Sequence, residues 1–127
     1  MNRFGIYIHW PYCISKCPYC DFNSHKIKDY DQNEWLIAYK NQIKYFKEYL
    51  IFHNFKNIKL TSIFFGGGTP SLMHPKLVEQ ILSFINKLFN FDKNIEITLE
   101  SNPTNLELNK ISDFKLAGVN RISLGVQ

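Results

Sequence analysis

Cys13, Cys17 and Cys20 are the only cysteines in a chain of 127 residues, and they fall within eight positions, C-I-S-K-C-P-Y-C. A disulfide framework uses an even number of cysteines spread along a chain, so three gathered in one loop point to a metal or redox site. The C-x3-C-x2-C spacing lets three thiolates ligate three irons of a [4Fe-4S] cubane and leaves one iron without a protein ligand. An open iron is what such a cluster needs to bind and reduce a small molecule. The competing assignment is zinc, held by the three cysteines with His9 or His25 as the fourth ligand. Structural zinc usually draws its ligands from two separated pairs, which favours iron and sulfide here.

Three further features could bring polar groups to a ligand. Gly66-Gly67-Gly68-Thr69 would let backbone N–H groups and a hydroxyl approach where a Cβ would stand in the way. It lacks the Lys-Ser/Thr ending of a phosphate-binding loop, and a tight turn ahead of Pro70 explains the glycines equally well. Glu100 could pair with a ligand amine or hydroxyl, or be an ordinary carboxylate at a strand end. Arg121, Ser123 and Gln127 alternate along the last apolar segment, as residues of one sheet face do.

The elements that must position these residues alternate strictly between strand and helix. Phe4 to His9 is an apolar, aromatic strand stopped by Trp10-Pro11. The Cys-rich loop follows. Asp31, with Glu34 three residues on, has capping-box spacing and opens a long helix to about Phe52. Trp35, Ala38, Gln42, Tyr45, Phe46, Tyr49 and Leu50 fall on one of its faces, which is expected to be the packed one. Leu60 to Phe65 is the second strand. Pro75 suits the first turn of a second helix, with Leu77, Ile81, Leu82, Ile85, Leu88 and Phe89 at helical spacing. Ile95, Ile97 and Leu99 form a third strand, a third helix runs from about Leu106 to Leu116 with Gly118 as its C-cap, and Arg121 to Val126 is a fourth strand.

Four strands alternating with three helices predict an α/β fold with a parallel sheet. In such a sheet function collects at the carboxyl ends of the strands. Each predicted strand here ends on a chemically distinctive feature: the cysteines, the glycine turn, Glu100 and Gln127. The topology brings all four to one rim.

Composition narrows the class. Apolar residues make 45% of the chain and charged residues 20%, as in an ordered globular protein. No apolar run approaches the roughly 18 residues a membrane span needs, and the first residues lack a signal peptide's apolar core. No integral membrane segment and a cytoplasmic location are expected. The net charge of +4 raises the question of nucleic acid. Thirteen of the fifteen basic residues are Lys, scattered along the chain, and Lys, Asn, Ile, Phe and Tyr make 59 of the 127 residues. That bias is what an AT-rich coding sequence imposes, so no nucleic-acid partner is expected.

Tyr7 to Ser24, Y-I-H-W-P-Y-C-I-S-K-C-P-Y-C-D-F-N-S, resembles the radical S-adenosylmethionine (SAM) proteins of the oxygen-independent coproporphyrinogen III oxidase group, and within it most the HemW heme chaperones. Gly66 to Ser71, Glu100 to Pro103 and Asn120 to Gln127 follow in that family's order, so the resemblance runs from Tyr7 to Gln127. It implies a [4Fe-4S] cluster on Cys13, Cys17 and Cys20, and SAM contacts from Tyr7, Tyr19, Gly67, Gly68, Thr69, Glu100 and Gln127. No residue is singled out as catalytic. The oxidases usually carry a fourth cysteine two residues beyond the third, where this chain has Phe22. Asp21-Phe22-Asn23-Ser24 is similar to the chaperone branch, which binds heme and delivers it to acceptor proteins. The resemblance thus implies heme and heme-accepting proteins as partners, and no coproporphyrinogen oxidase activity from this chain. The alternatives are an oxidase-type radical SAM enzyme, and a non-catalytic remnant or small zinc-binding module. As a fold it implies residues 1–127 as the first half of a partial (β/α) barrel, cut off after the fourth strand.

Overall fold

In the computed structural model, which describes residues 2–13, 25–26, 32–103 and 109–125, four parallel strands form the main sheet. They are β1 (Asn2–Trp10), β4 (Ile58–Gly67), β5 (Asn90–Ser101) and β6 (Arg121–Leu124), and they stand side by side in chain order. Two residues of β2 (Tyr12–Cys13) pair in parallel with two of β3 (His25–Lys26) in a separate ladder. The helices are α1 (Gln32–Phe52), α2 (Pro75–Leu88) and α3 (Ile111–Ala117), with a short 3-10 turn at Pro70–Leu72. The expected α/β fold of four parallel strands and three helices is therefore present.

Each strand separates two environments because successive side chains face opposite ways. Ile8, Phe65, Leu99 and Ile122 are cross-strand partners on one face. There the sheet packs against the helices, with Trp10, Ile63, Phe65, Leu77, Ile81, Ile85, Leu99 and Phe114 buried in the core. Tyr7, Phe64, Thr98 and Arg121 make the neighbouring row on the other face. That face is polar: Arg121 Nη1 lies 3.4 Å from Glu96 Oε1 and 3.3 Å from Thr98 Oγ1. The alternation of Arg121 and Ser123 is thus that of one sheet face, with Ser123 the partner of Glu100.

Helix α2 follows its sequence closely. His74 caps it, its Nδ1 accepting the Lys76 N–H at 3.3 Å, and Pro75 occupies the first turn. Leu77, Val78, Ile81, Leu82 and Ile85 are buried at the expected spacing. The α1 expectation needs correction. Its buried residues are Leu36 and Ile43, flanked by partly buried Trp35, Tyr39 and Leu50, so that of the expected set only Trp35 and Leu50 pack on the core. Ala38, Gln42, Tyr45, Phe46 and Tyr49 are exposed. The packed face is turned by about one residue, roughly 100°, from the expected one.

Two other boundaries shift. Strand β5 begins at Asn90, directly after α2, not at Ile95. Helix α3 is described from Ile111, while the expected start near Leu106 lies outside the described residues, as does the Asp31 cap. Gly118 ends α3 as expected, at φ 123° with its N–H donating to Lys115 O.

Candidate functional site at the carboxyl rim

Because all four strands run parallel, Trp10, Gly67, Ser101 and Leu124 end on one rim. The site is built there from β1, β4 and β5. Gly66 is buried, and a Cβ on it would stand 2.6 Å from Glu100 Oε1, 2.8 Å from Tyr7 Cε2 and 2.9 Å from Phe64 Cε1. The side chains of Glu100 and Tyr7 thus converge over a backbone that only glycine leaves open. Gly67 has φ 117°, and a Cβ there would meet Trp10 O at 2.6 Å. Both glycines answer to sterics, one to side-chain convergence and one to backbone conformation.

The next three amides have protein acceptors. Gly67 N–H donates to Glu100 Oε1 at 3.2 Å, Gly68 N–H to Trp10 O at 2.6 Å and Thr69 N–H to Tyr12 O at 2.8 Å. The expectation that these N–H groups face a ligand is corrected here: the turn grips the chain that leads from β1 into Cys13. The Thr69 side chain is buried at 5% exposure, and its Oγ1 accepts from Asn102 Nδ2 at 3.4 Å. Asn102 thus braces the turn from just past the end of β5. An Asn before Pro103, just past a strand end, was the available signal for such a bracing contact.

Tyr7 is 58% exposed on the polar face, stacks on Phe64 at 6.1 Å and shares a 3.3 Å hydrogen bond with His9 Nδ1. Its phenol is held above the ordinary tyrosine range, first by partial burial and then by the negative charge of Glu100. It stays protonated near neutral pH, able to donate a hydrogen bond beside an anion.

The structure therefore brings together Tyr7, Gly67, Gly68, Thr69 and Glu100 of the expected SAM contacts. Tyr19 and Gln127 lie outside the described residues, as do Cys17 and Cys20. The backbone of Cys13 is described in β2, paired with Lys26.

A family model for the radical SAM superfamily matches residues 7–127. The chain belongs to that superfamily. Among curated proteins, the heme chaperone HemW of Haemophilus influenzae is 41% identical over 97% of this chain and 32% of its own length. HemW of Escherichia coli is 39% identical over the same shares. The mitochondrial radical S-adenosyl methionine domain-containing protein 1 of Danio rerio is 37% identical over 97% of this chain and 27% of its own. This chain thus spans about a third of the length of these relatives. The solved structure of coproporphyrinogen III oxidase (HemN) from Escherichia coli, a radical SAM enzyme, superposes with a TM-score of 0.83 at 24% identity, over 99% of this chain and 28% of that one. It establishes a shared fold. Among the described residues no helix is long and apolar enough to cross a membrane.

Proposed function

We propose that this chain is the cluster- and SAM-binding segment of a cytoplasmic heme chaperone of the HemW kind, whose partners are heme and heme-accepting proteins. The observation that carries the reading is the convergence at the rim. The glycine turn that touches Glu100 through Gly67 also holds the Cys13 stem through Gly68 and Thr69. An anion and a thiolate loop are thereby tied to one piece of backbone.

The residues fit both cofactors. Three thiolates at C-x3-C-x2-C spacing suit a [4Fe-4S] cluster with one open iron. The Gly66 position, where a Cβ would collide, leaves room only for Glu100 and Tyr7 over a bare backbone. Cys13, Cys17 and Cys20 would hold the cluster. Glu100 would receive the SAM amine or ribose hydroxyls, Tyr7 would line the site with Tyr19, and Gly67, Gly68, Thr69 and Gln127 would complete the contacts. A reduced cluster held there would supply the one electron for reductive cleavage of bound SAM to methionine and an adenosyl radical. Phe22, where the oxidases usually have a fourth cysteine, supports the chaperone branch over tetrapyrrole decarboxylation.

Anaerobic reconstitution with iron and sulfide tests the reading. About four irons per chain are expected, with a brown protein whose visible absorption is lost in Cys13→Ala, Cys17→Ala and Cys20→Ala. Equal iron in the parent and all three variants, or about one zinc and no iron, sinks it. Heme added to the loaded chain distinguishes the branch: a heme difference spectrum supports the chaperone, and decarboxylated product from coproporphyrinogen III above a Cys17→Ala control supports the oxidase.

A further inference from the structure

The chain entering the cysteine loop is flanked by rings. Trp10, the last residue of β1, is fully buried, and its ring centroid lies 5.1 Å from Tyr12 and 5.3 Å from Trp35 of α1. Tyr12 and Trp35 close the triangle edge-to-face at 5.6 Å. Tyr39, one turn further along α1, packs on Trp35 at 5.5 Å and donates its hydroxyl to His9 O at 2.6 Å. Helix α1 thus touches the chain on both sides of Pro11: at His9 through a hydrogen bond, at Trp10 and Tyr12 through rings. Gly68 and Thr69 hold the carbonyls of Trp10 and Tyr12 in turn. Cys13 follows immediately.

We propose that Trp35 and Tyr39 are positioning residues for the metal centre: they hold the stem from His9 to Tyr12 against the glycine turn, and so fix the backbone that leads into Cys13 relative to the turn that holds Glu100. The inference rests on the reading that Cys13 is a cluster ligand, and it assigns to α1 a role in the site that lies outside the family's motif residues. The geometry favours it over plain core filling. A core aromatic needs only apolar neighbours, whereas Tyr39 directs its hydroxyl to a backbone carbonyl four residues before the first cysteine. Burial, then the neighbouring Tyr12, raises the Tyr39 phenol above its ordinary range, so it remains a donor at any working pH.

The test compares Trp35→Ala, Trp35→Phe and Tyr39→Phe with Tyr45→Ala, a change on the exposed side of α1. Each is made in the 127-residue chain and reconstituted anaerobically. Readouts are iron and sulfide retained against a competing chelator, visible circular dichroism of the cluster, and the change SAM causes in the electron paramagnetic resonance of the reduced cluster. Far-UV circular dichroism follows the fold. Second-layer partners of a metal ligand typically change affinity by about 10- to 100-fold, so Trp35→Ala should lose cluster on the order of 10-fold more readily. Trp35→Phe should recover most of it. Tyr39→Phe should alter the visible circular dichroism and blunt the SAM-induced change, and Tyr45→Ala should match the parent. Parent-like retention and spectra in a folded Trp35→Ala overturn the proposal. If Trp35→Ala loses its far-UV signal, Tyr39→Phe decides, and parent-like behaviour in that variant overturns it. Cys13→Ala loading as much iron as the parent would instead fault the cluster reading itself.

Discussion

Glu100 is the residue on which the rim turns. Its Oε1 accepts the Gly67 N–H at 3.2 Å and lies 2.6 Å from where a Gly66 Cβ would stand, so its carboxylate is fixed on the backbone and not merely near it. A carboxylate held this way can meet an ammonium or a pair of hydroxyls without first being ordered, which is where charged hydrogen bonds gain their strength. Glu100→Ala should weaken SAM binding to the reconstituted chain by roughly 10- to 100-fold, from a charged hydrogen bond of about 1.5–3 kcal/mol. Glu100→Gln keeps an acceptor for Gly67 and should fall between the two. Calorimetric titration under anaerobic conditions reads the order; parent-like affinity in Glu100→Ala would remove it from the site. Much of this scale was legible in the sequence. Thiolate spacing is a local property, and so is a carboxylate at the end of an apolar alternation. The engagement of the Gly68 and Thr69 amides was not, because their acceptors, Trp10 and Tyr12, sit more than fifty positions away.

The helices show why periodicity serves one element and misleads on another. In α2 the apolar set is interrupted cleanly by exposed Lys76, Glu79, Ser83, Asn86 and Lys87, so only one face can pack. In α1 apolar or aromatic residues occur all the way round, from Ile37 and Tyr45 through Phe46 and Tyr49 to Ile51 and Phe52, all exposed. Such a helix has no single apolar stripe, and its neighbours decide which side is covered. Lys47 illustrates the outcome: its stem lies in the packed side, and its ammonium donates to Leu88 O at the end of α2 and sits 4.9 Å over the Phe89 ring. Ile43→Ala, on the packed side, should cost about 2–4 kcal/mol, whereas Tyr45→Ala should stay within about 0.5 kcal/mol. Denaturant unfolding of both variants checks this, and equal costs would restore the face expected from the sequence. The β2–β3 ladder was also invisible, since two residues carry no period.

Over the whole molecule, the sheet has two edges among the described residues, β1 with nine residues and β6 with four. Edge strands offer unpaired backbone groups, and clustered exposed aromatics on α1 add apolar surface. The 127-residue chain by itself should self-associate as its concentration rises, a tendency that sedimentation velocity would show. A single monomeric species across the accessible range would mean that these surfaces are covered. The parallel α/β architecture itself was readable, because strand and helix alternate and each strand of the main sheet is closed by Gly or Pro, at Pro11, Gly66 to Pro70, Pro103 and Gly125. The strand order β1-β4-β5-β6 has one more consequence. Each strand after β1 leaves the ribosome after the neighbour on its β1 side, and none has to wedge between two already joined. In a sheet whose order reverses, an early strand must wait for a late one on its other flank. Here the sheet can be laid down from one side, strand by strand, at the pace of synthesis. The first piece finished is β1 against β4, the pairing that sets Trp10 beside Gly67 and so readies the stem of the cysteine loop before β5 delivers Glu100.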